Sequence, residues 1–146
     1  MTKKQLEDYC IAEFENIEMV LRELSGVVEQ GKSEYGSADL AAIATFLHNS
    51  YNGIENVLKR ILTYEAATVI DTPTWHKDLL RMARERGIIE DDLQAKLGQY
   101  LSFRHFFIHG YSFGLRWTEM KPLVDSIYGT ISWFRARTLE HIQTLK

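Results

Sequence analysis

One cysteine, Cys10, stands in a chain of 146 residues, so no disulfide can form within it. That lack removes the small disulfide scaffolds of secreted proteins and leaves a cytoplasmic setting as the simple expectation. Proline is nearly as scarce, at Pro73 and Pro122 only. No run of about 18 or more apolar residues occurs, which argues against a transmembrane helix and a membrane partner. The opening MTKKQLEDYC passes into a polar amphipathic pattern, without the continuous apolar core of a signal peptide, and none is expected. A basic excess is missing too: 17 Lys and Arg face 20 Asp and Glu, a net charge of −3. This argues against a protein that coats nucleic acid through bulk charge, but not against one with a local basic site. Motifs of cofactor and metal chemistry are also absent. There is no C-x-x-C, H-E-x-x-H, EF-hand loop, P-loop or G-x-G-x-x-G, and no Glu-x-x-His pair facing into a bundle. No metal and no cofactor are expected. The Gly36-Ser37 pair followed by Asp39 faintly resembles a nucleotidyltransferase start, but it leads into a helix where that chemistry needs a strand, and is set aside.

What remains is helical periodicity. Apolar residues make up 45% of the chain and charged ones 25%, a globular balance, and the length suits one domain spanning 1–146. Leu6, Cys10, Phe14, Ile17, Leu21, Leu24 and Val28 recur every three or four residues, the stripe of a long first helix ending before Gly31. Ser37 is the expected N-cap of a second helix reaching about Thr68, with its stripe on Leu40, Ile43, Leu47, Tyr51, Ile54 and Leu58. Gly53 inside it suggests close helix packing. VIDTPTW, 69–75, reads as a turn because Pro73 would break a helix. A short helix from about Thr74 to Arg86 should end at Gly87. Asp91 opens a fourth, with Leu93, Leu97, Tyr100 and Leu101 on its stripe. GYSFGLRW, 110–117, is a break, and a last helix starts near Thr118. Few strand-like alternations appear. The expectation is an all-α fold, an antiparallel four-helix bundle with one extra short helix.

Two features stand out on this frame. Acid is concentrated in the first helix (Glu7, Asp8, Glu13, Glu15, Glu18, Glu23, Glu29), whereas HKDLLRMARER, 76–86, leans basic. A polyanion should avoid the former and meet Lys77, Arg81 and Arg84 in the latter. The second is FRHFFIHGYSF, 103–113, which mixes an arginine, two histidines and a tyrosine with four phenylalanines. Arg104 continues the apolar stripe of the fourth helix, which Phe107, Ile108 and Tyr111 would extend. A buried guanidinium without a partner is very costly, so Arg104 must face a partner, a cleft or a subunit interface. Helical arithmetic puts Tyr111 about 20° from Arg104, and His109 about 140° away unless Gly110 ends the helix. His105 and His109 are neighbours four residues apart. A two-fold axis along this face would gather two arginines and two histidines, so a homodimer with a composite site is expected. Taken singly, each residue has an ordinary reading: a solvated or core histidine, an interface arginine, a packing tyrosine.

Arg104-x4-His109-x-Tyr111 resembles the R-x4-H-x-Y signature of the HEPN-domain ribonuclease toxins, specifically the HepT-like toxins of MNT–HepT modules. The motif falls at the end of the fourth helical segment of an all-helical chain. His105 is polar, as that family's position after the arginine usually is, although many members carry Asn there. WHKDLL, 75–80, and FRHFFIHGYSFGLRW, 103–117, are similar in wording to one HepT-like subfamily. The resemblance implies a dimeric HEPN bundle that cleaves RNA, tRNA or mRNA, without a metal. Arg104 and His109 would be catalytic and His105 supporting. It also implies a cognate MNT-type nucleotidyltransferase antitoxin that adenylylates Tyr111. Two alternatives remain: a non-catalytic HEPN module that binds a nucleotide or a partner, and a structural or antitoxin-like bundle in which the motif is accidental.

Overall fold

A computed structural model describes residues 1–67 and 73–146. It contains α1 (Lys3–Val27), α2 (Ser37–Tyr64), α3 (Trp75–Glu85), α4 (Asp91–His109), a 3-10 turn at Ser112–Gly114, and α5 (Trp117–Thr144). No strand occurs among the described residues, and the fold is all-α as expected. No helix is long and apolar enough to cross a membrane among those residues.

Local chemistry sets where the helices begin and end. Thr2 caps α1 through a reciprocal box: Gln5 N–H donates to Thr2 Oγ1 at 3.1 Å, and Thr2 N–H to Gln5 Oε1 at 2.8 Å. Gly87, at φ +76°, takes the left-handed turn that closes α3, a conformation costly for a residue with a Cβ. At the end of α4 the Gly110 N–H donates to the Phe106 carbonyl at 2.7 Å, and Gly110 then turns extended.

Some boundaries differ from expectation. Gly36, not Ser37, is the cap of α2, and α2 stops at Tyr64 rather than about Thr68. The chain closes there through Ala66, which adopts φ +59°, with Ala67 N–H on the Leu62 carbonyl at 2.9 Å. Most of the turn expected at 69–75 lies outside the described residues, and Trp75 already belongs to α3. The last helix takes in Trp117 and carries Pro122 inside it.

Cross-helix contacts fix the directions. Lys3 Nζ meets the Gln143 carbonyl, Glu18 meets Arg135, and Ser25 meets Tyr128, so α1 and α5 run antiparallel. Tyr9 lies under Arg60, and Ile17 against Gly53, so α1 and α2 are antiparallel as well. Arg104 against Asn52 and Phe107 against His48 give the same sense for α2 and α4. Tyr100 donates to the Leu123 carbonyl at 2.7 Å while Trp133 donates to Glu90, which reverses α5 against α4. The result is an up-down-up-down bundle of α1, α2, α4 and α5, with α3 laid across α2 and α4. Its core holds the expected stripes: Leu6, Cys10, Phe14 and Ile17 of α1, Ile43, Leu47, Tyr51 and Ile54 of α2, Leu93, Leu97 and Tyr100 of α4, and Ile127, Ile131 and Phe134 of α5. Phe14 meets Phe134 edge to face at 5.9 Å. The Cys10 thiol is pushed up to about 12, first by burial and then by Glu13, which makes it an inert core residue.

Candidate functional site

An open groove of about 730 Å³ runs between the start of α3 and the length of α4. Pro73, Thr74, His76, Lys77 and Leu80 form one wall; Gln94, Gly98, Ser102, Arg104 and His105 form much of the other. Its lining thus brings a permanent cation, a flexible cation and two imidazoles to one surface.

Arg104 is half-buried in α4 and turned towards α2. Its Nε donates to Asn52 Oδ1 over a long 3.5 Å, and among the described residues no carboxylate pairs with it. A guanidinium held by one neutral amide keeps most of its donor fork free for an anion. Asn52 also meets His48 Nε2 at 3.2 Å, so one α2 side chain spans the arginine and a second histidine. The pKa of His48 is lowered, mainly by burial and then by the nearby Arg104 charge. Buried Tyr51 lies within reach of the same charge. Burial pushes its phenol up, as does adjacent Glu55, while Arg104 draws it down.

His105 is exposed at the groove edge. One turn on, His109 lies against it with ring centroids 4.6 Å apart and the planes tilted by 47°. The two imidazoles form a pair at the end of α4, one helical step from Arg104. His109 does not line the groove itself; it reaches the site through His105.

Tyr111 is placed differently from the helical arithmetic. The helix ends at His109, and Gly110 at ψ 179° carries the chain off its axis. Tyr111 is therefore 75% exposed and stacks on Phe113, 5.3 Å away at 9°, instead of extending the Arg104 stripe. Ile108 and Phe106 also face solvent, as does Phe113; only Phe103 and Phe107 of this aromatic run pack on the core. Sequence periodicity cannot show this, because an apolar residue on a helix end looks alike whether it meets the core or an unseen surface.

The three basic residues expected to meet a polyanion divide. Lys77 lines the groove. Arg81 is tied to Glu85 at 3.0 Å and to Asp78 at 3.6 Å, and Arg84 to Asp91 at 3.0 Å. Those two charges are largely answered within the chain.

Sequence reading missed four residues: His48, Asn52, Glu55 and His76. Glu55 carried a signal, a carboxylate on the apolar face of α2, four residues from Tyr51 and next to Ile54. It is 3% exposed, and its Oε2 meets His76 Nδ1 at 2.7 Å. His76 had only the signal of lying in a basic segment. Among the described residues no group of three or more His, Cys, Asp or Glu is placed to hold a metal ion.

A family model described as HepT-like protein matches residues 42–145, from within α2 to the end of α5. No curated protein and no solved structure matches the chain.

Proposed function

The chain belongs to the HepT-like family, and from that premise we propose that it is a metal-independent endoribonuclease toxin acting as a homodimer. The observation that carries this reading is Arg104, free of any carboxylate partner among the described residues, beside the adjoining His105–His109 rings at the edge of an open groove. RNA holds its own nucleophile. The 2′-hydroxyl attacks the adjacent phosphorus, the bond to the 5′-oxygen breaks, and a 2′,3′-cyclic phosphate and a 5′-hydroxyl result. The protein must neutralise the phosphorane and move two protons. Arg104 offers a permanent charge and a bidentate fork to the phosphate. Histidine, with an ordinary pKa near roughly 6.5, suits proton transfer at neutral pH. His109 takes that role with His105 in support, and a second copy across a two-fold axis supplies the complementary imidazole. Lys77 in the groove, and more weakly Arg81 and Arg84, hold flanking phosphates. The RNA is tRNA or mRNA.

Tyr111 is the modification site in this reading. A cognate MNT-type nucleotidyltransferase antitoxin attaches AMP to its exposed phenol, adding phosphate charge and bulk just past the end of α4.

Expression of the wild type in a bacterium should arrest growth, and Arg104→Ala or His109→Ala should relieve the arrest. The purified wild type should cut RNA in the presence of a chelator. Equal harmlessness of all three, with RNA left intact, sinks the nuclease reading. A second reading, a non-catalytic HEPN module that binds a nucleotide or partner, is favoured by the groove volume and the net charge of −3. It predicts nucleotide binding that weakens in the motif variants while RNA stays uncut.

A further inference from the structure

His76 is the second residue of α3 and shares the groove lining with Arg104 and His105. Its ring is mostly buried, with 19% of the side chain accessible, and its Nδ1 lies 2.7 Å from Glu55 Oε2. Glu55 is itself sunk in the core side of α2 at 3% exposure. Such burial is costly for a carboxylate, and this one is retained with an imidazole as its partner. A carboxylate only accepts hydrogen bonds, so Nδ1 carries a proton, and in the neutral imidazole Nε2 carries the lone pair. Among the described residues Nε2 makes no hydrogen bond. An imidazole fixed through Nδ1 by a buried carboxylate, on a residue that lines a cleft, is the arrangement of a general base in hydrolytic triads. The Tyr51 phenol feels the charges of both Glu55 and Arg104, with no hydrogen bond to either among the described residues.

We propose that His76, oriented by Glu55, is the general base of the groove and takes the 2′-hydroxyl proton of the bound RNA. The inference rests on the nuclease reading above and changes one part of it: the imidazole complementary to the His105–His109 pair is His76, not a residue of a second copy. Nε2 removes the proton as the 2′-oxygen bonds to phosphorus, and the resulting imidazolium is stabilised by Glu55. Arg104 holds the phosphate oxygens. The bond to the 5′-oxygen then breaks, and a protonated imidazole of the His105–His109 pair delivers a proton to that oxygen.

The test uses the full chain, an RNA oligonucleotide, and the same oligonucleotide with 2′-O-methyl groups, which cannot be cut. His76→Ala is expected to slow cleavage by about 100-fold or more, with added imidazole restoring part of the rate. Glu55→Gln should slow it less, because the amide keeps a partner on the ring. In the wild type, the His76 and His105 ring signals should both move on titration with the methylated strand, a measurement that no misfolded variant can confuse. An unchanged rate in His76→Ala, a loss in a folded variant that imidazole does not relieve, or a shift of His105 without His76 overturns the assignment. A wild type that cuts no RNA under any condition removes the nuclease reading itself, and this inference with it.

Discussion

Gly53 marks the closest approach of the first two helices. A Cβ there would stand 2.5 Å from Ile17 Cγ1 and 2.7 Å from Cδ1, and Ile17 is 2% exposed, with little room to yield. Alanine is the better helix former by roughly 1 kcal/mol. Overpacking costs about 1–3 kcal/mol and should win. Gly53→Ala is expected to lower the urea midpoint; an unchanged or higher midpoint would show that the contact relaxes freely. His48 gives a pH prediction. Its folded pKa lies below the ordinary 6.5, so the unfolded chain binds the proton more readily. Stability therefore falls as pH drops through the range just below that value, and levels off once the folded form is protonated as well. His48→Gln should remove this component, read as a smaller loss of Tm between neutral and mildly acidic buffer in the variant than in the wild type. Arg104→Gln should raise the His48 pKa by removing a nearby positive charge, checked by following the ring signals. The reverse sign in either experiment contradicts the geometry.

Helix order and the helical faces were legible in the sequence because burial repeats every three or four residues along each stripe. Leu6 to Leu24 and Leu93 to Tyr100 fall inside as the spacing requires. Ends were less legible where no glycine or proline marked them. Nothing in the residues of α2 announces a stop at Tyr64, and the chain turns there with an alanine in the left-handed region. That conformation costs a residue with a Cβ about 1 kcal/mol, and Ala66 is exposed, so little packing is at stake. Ala66→Gly should raise stability by about that amount, measured by denaturation. A loss instead would mean that the methyl contributes more than its strain costs. The α4 terminus shows the opposite limit. Gly110 was a visible stop, yet 3.6-residue periodicity was carried across it to Tyr111, and the arithmetic no longer applied once the backbone became extended.

Across the whole molecule, the α4 residues of the candidate site stand out in the sequence, and the α2 and α3 residues packed beside them do not. Arg104, His105 and His109 sit close in sequence, so one helix brings them together. Asn52, Glu55 and His76 reach Arg104 or its groove only through packing of helices far apart in the chain. Such contacts leave no local pattern beyond a charged residue on an apolar stripe. The same scale holds the proposed dimer. Phe106, Ile108 and Phe113 are 41%, 45% and 84% exposed at one end of the bundle, an apolar surface of the kind that marks an interface. Light scattering should give twice the chain mass for the wild type and the single chain mass for Ile108→Glu combined with Phe113→Glu. A wild-type monomer at high concentration would rule out the composite two-fold site.

The extended backbone at Gly110 has a consequence for timing. Tyr111 lies outside the last turn of α4 and is 75% exposed, so an enzyme can reach its phenol without opening the bundle. The proposed modification is then a reaction of the native state, governed by encounter with the enzyme and not by local unfolding. Its rate should stay the same when the bundle is weakened elsewhere, for example in Gly53→Ala, and intact-mass time courses of the two proteins should superimpose. On the proposed reading, modification at Tyr111 silences protein that has already folded.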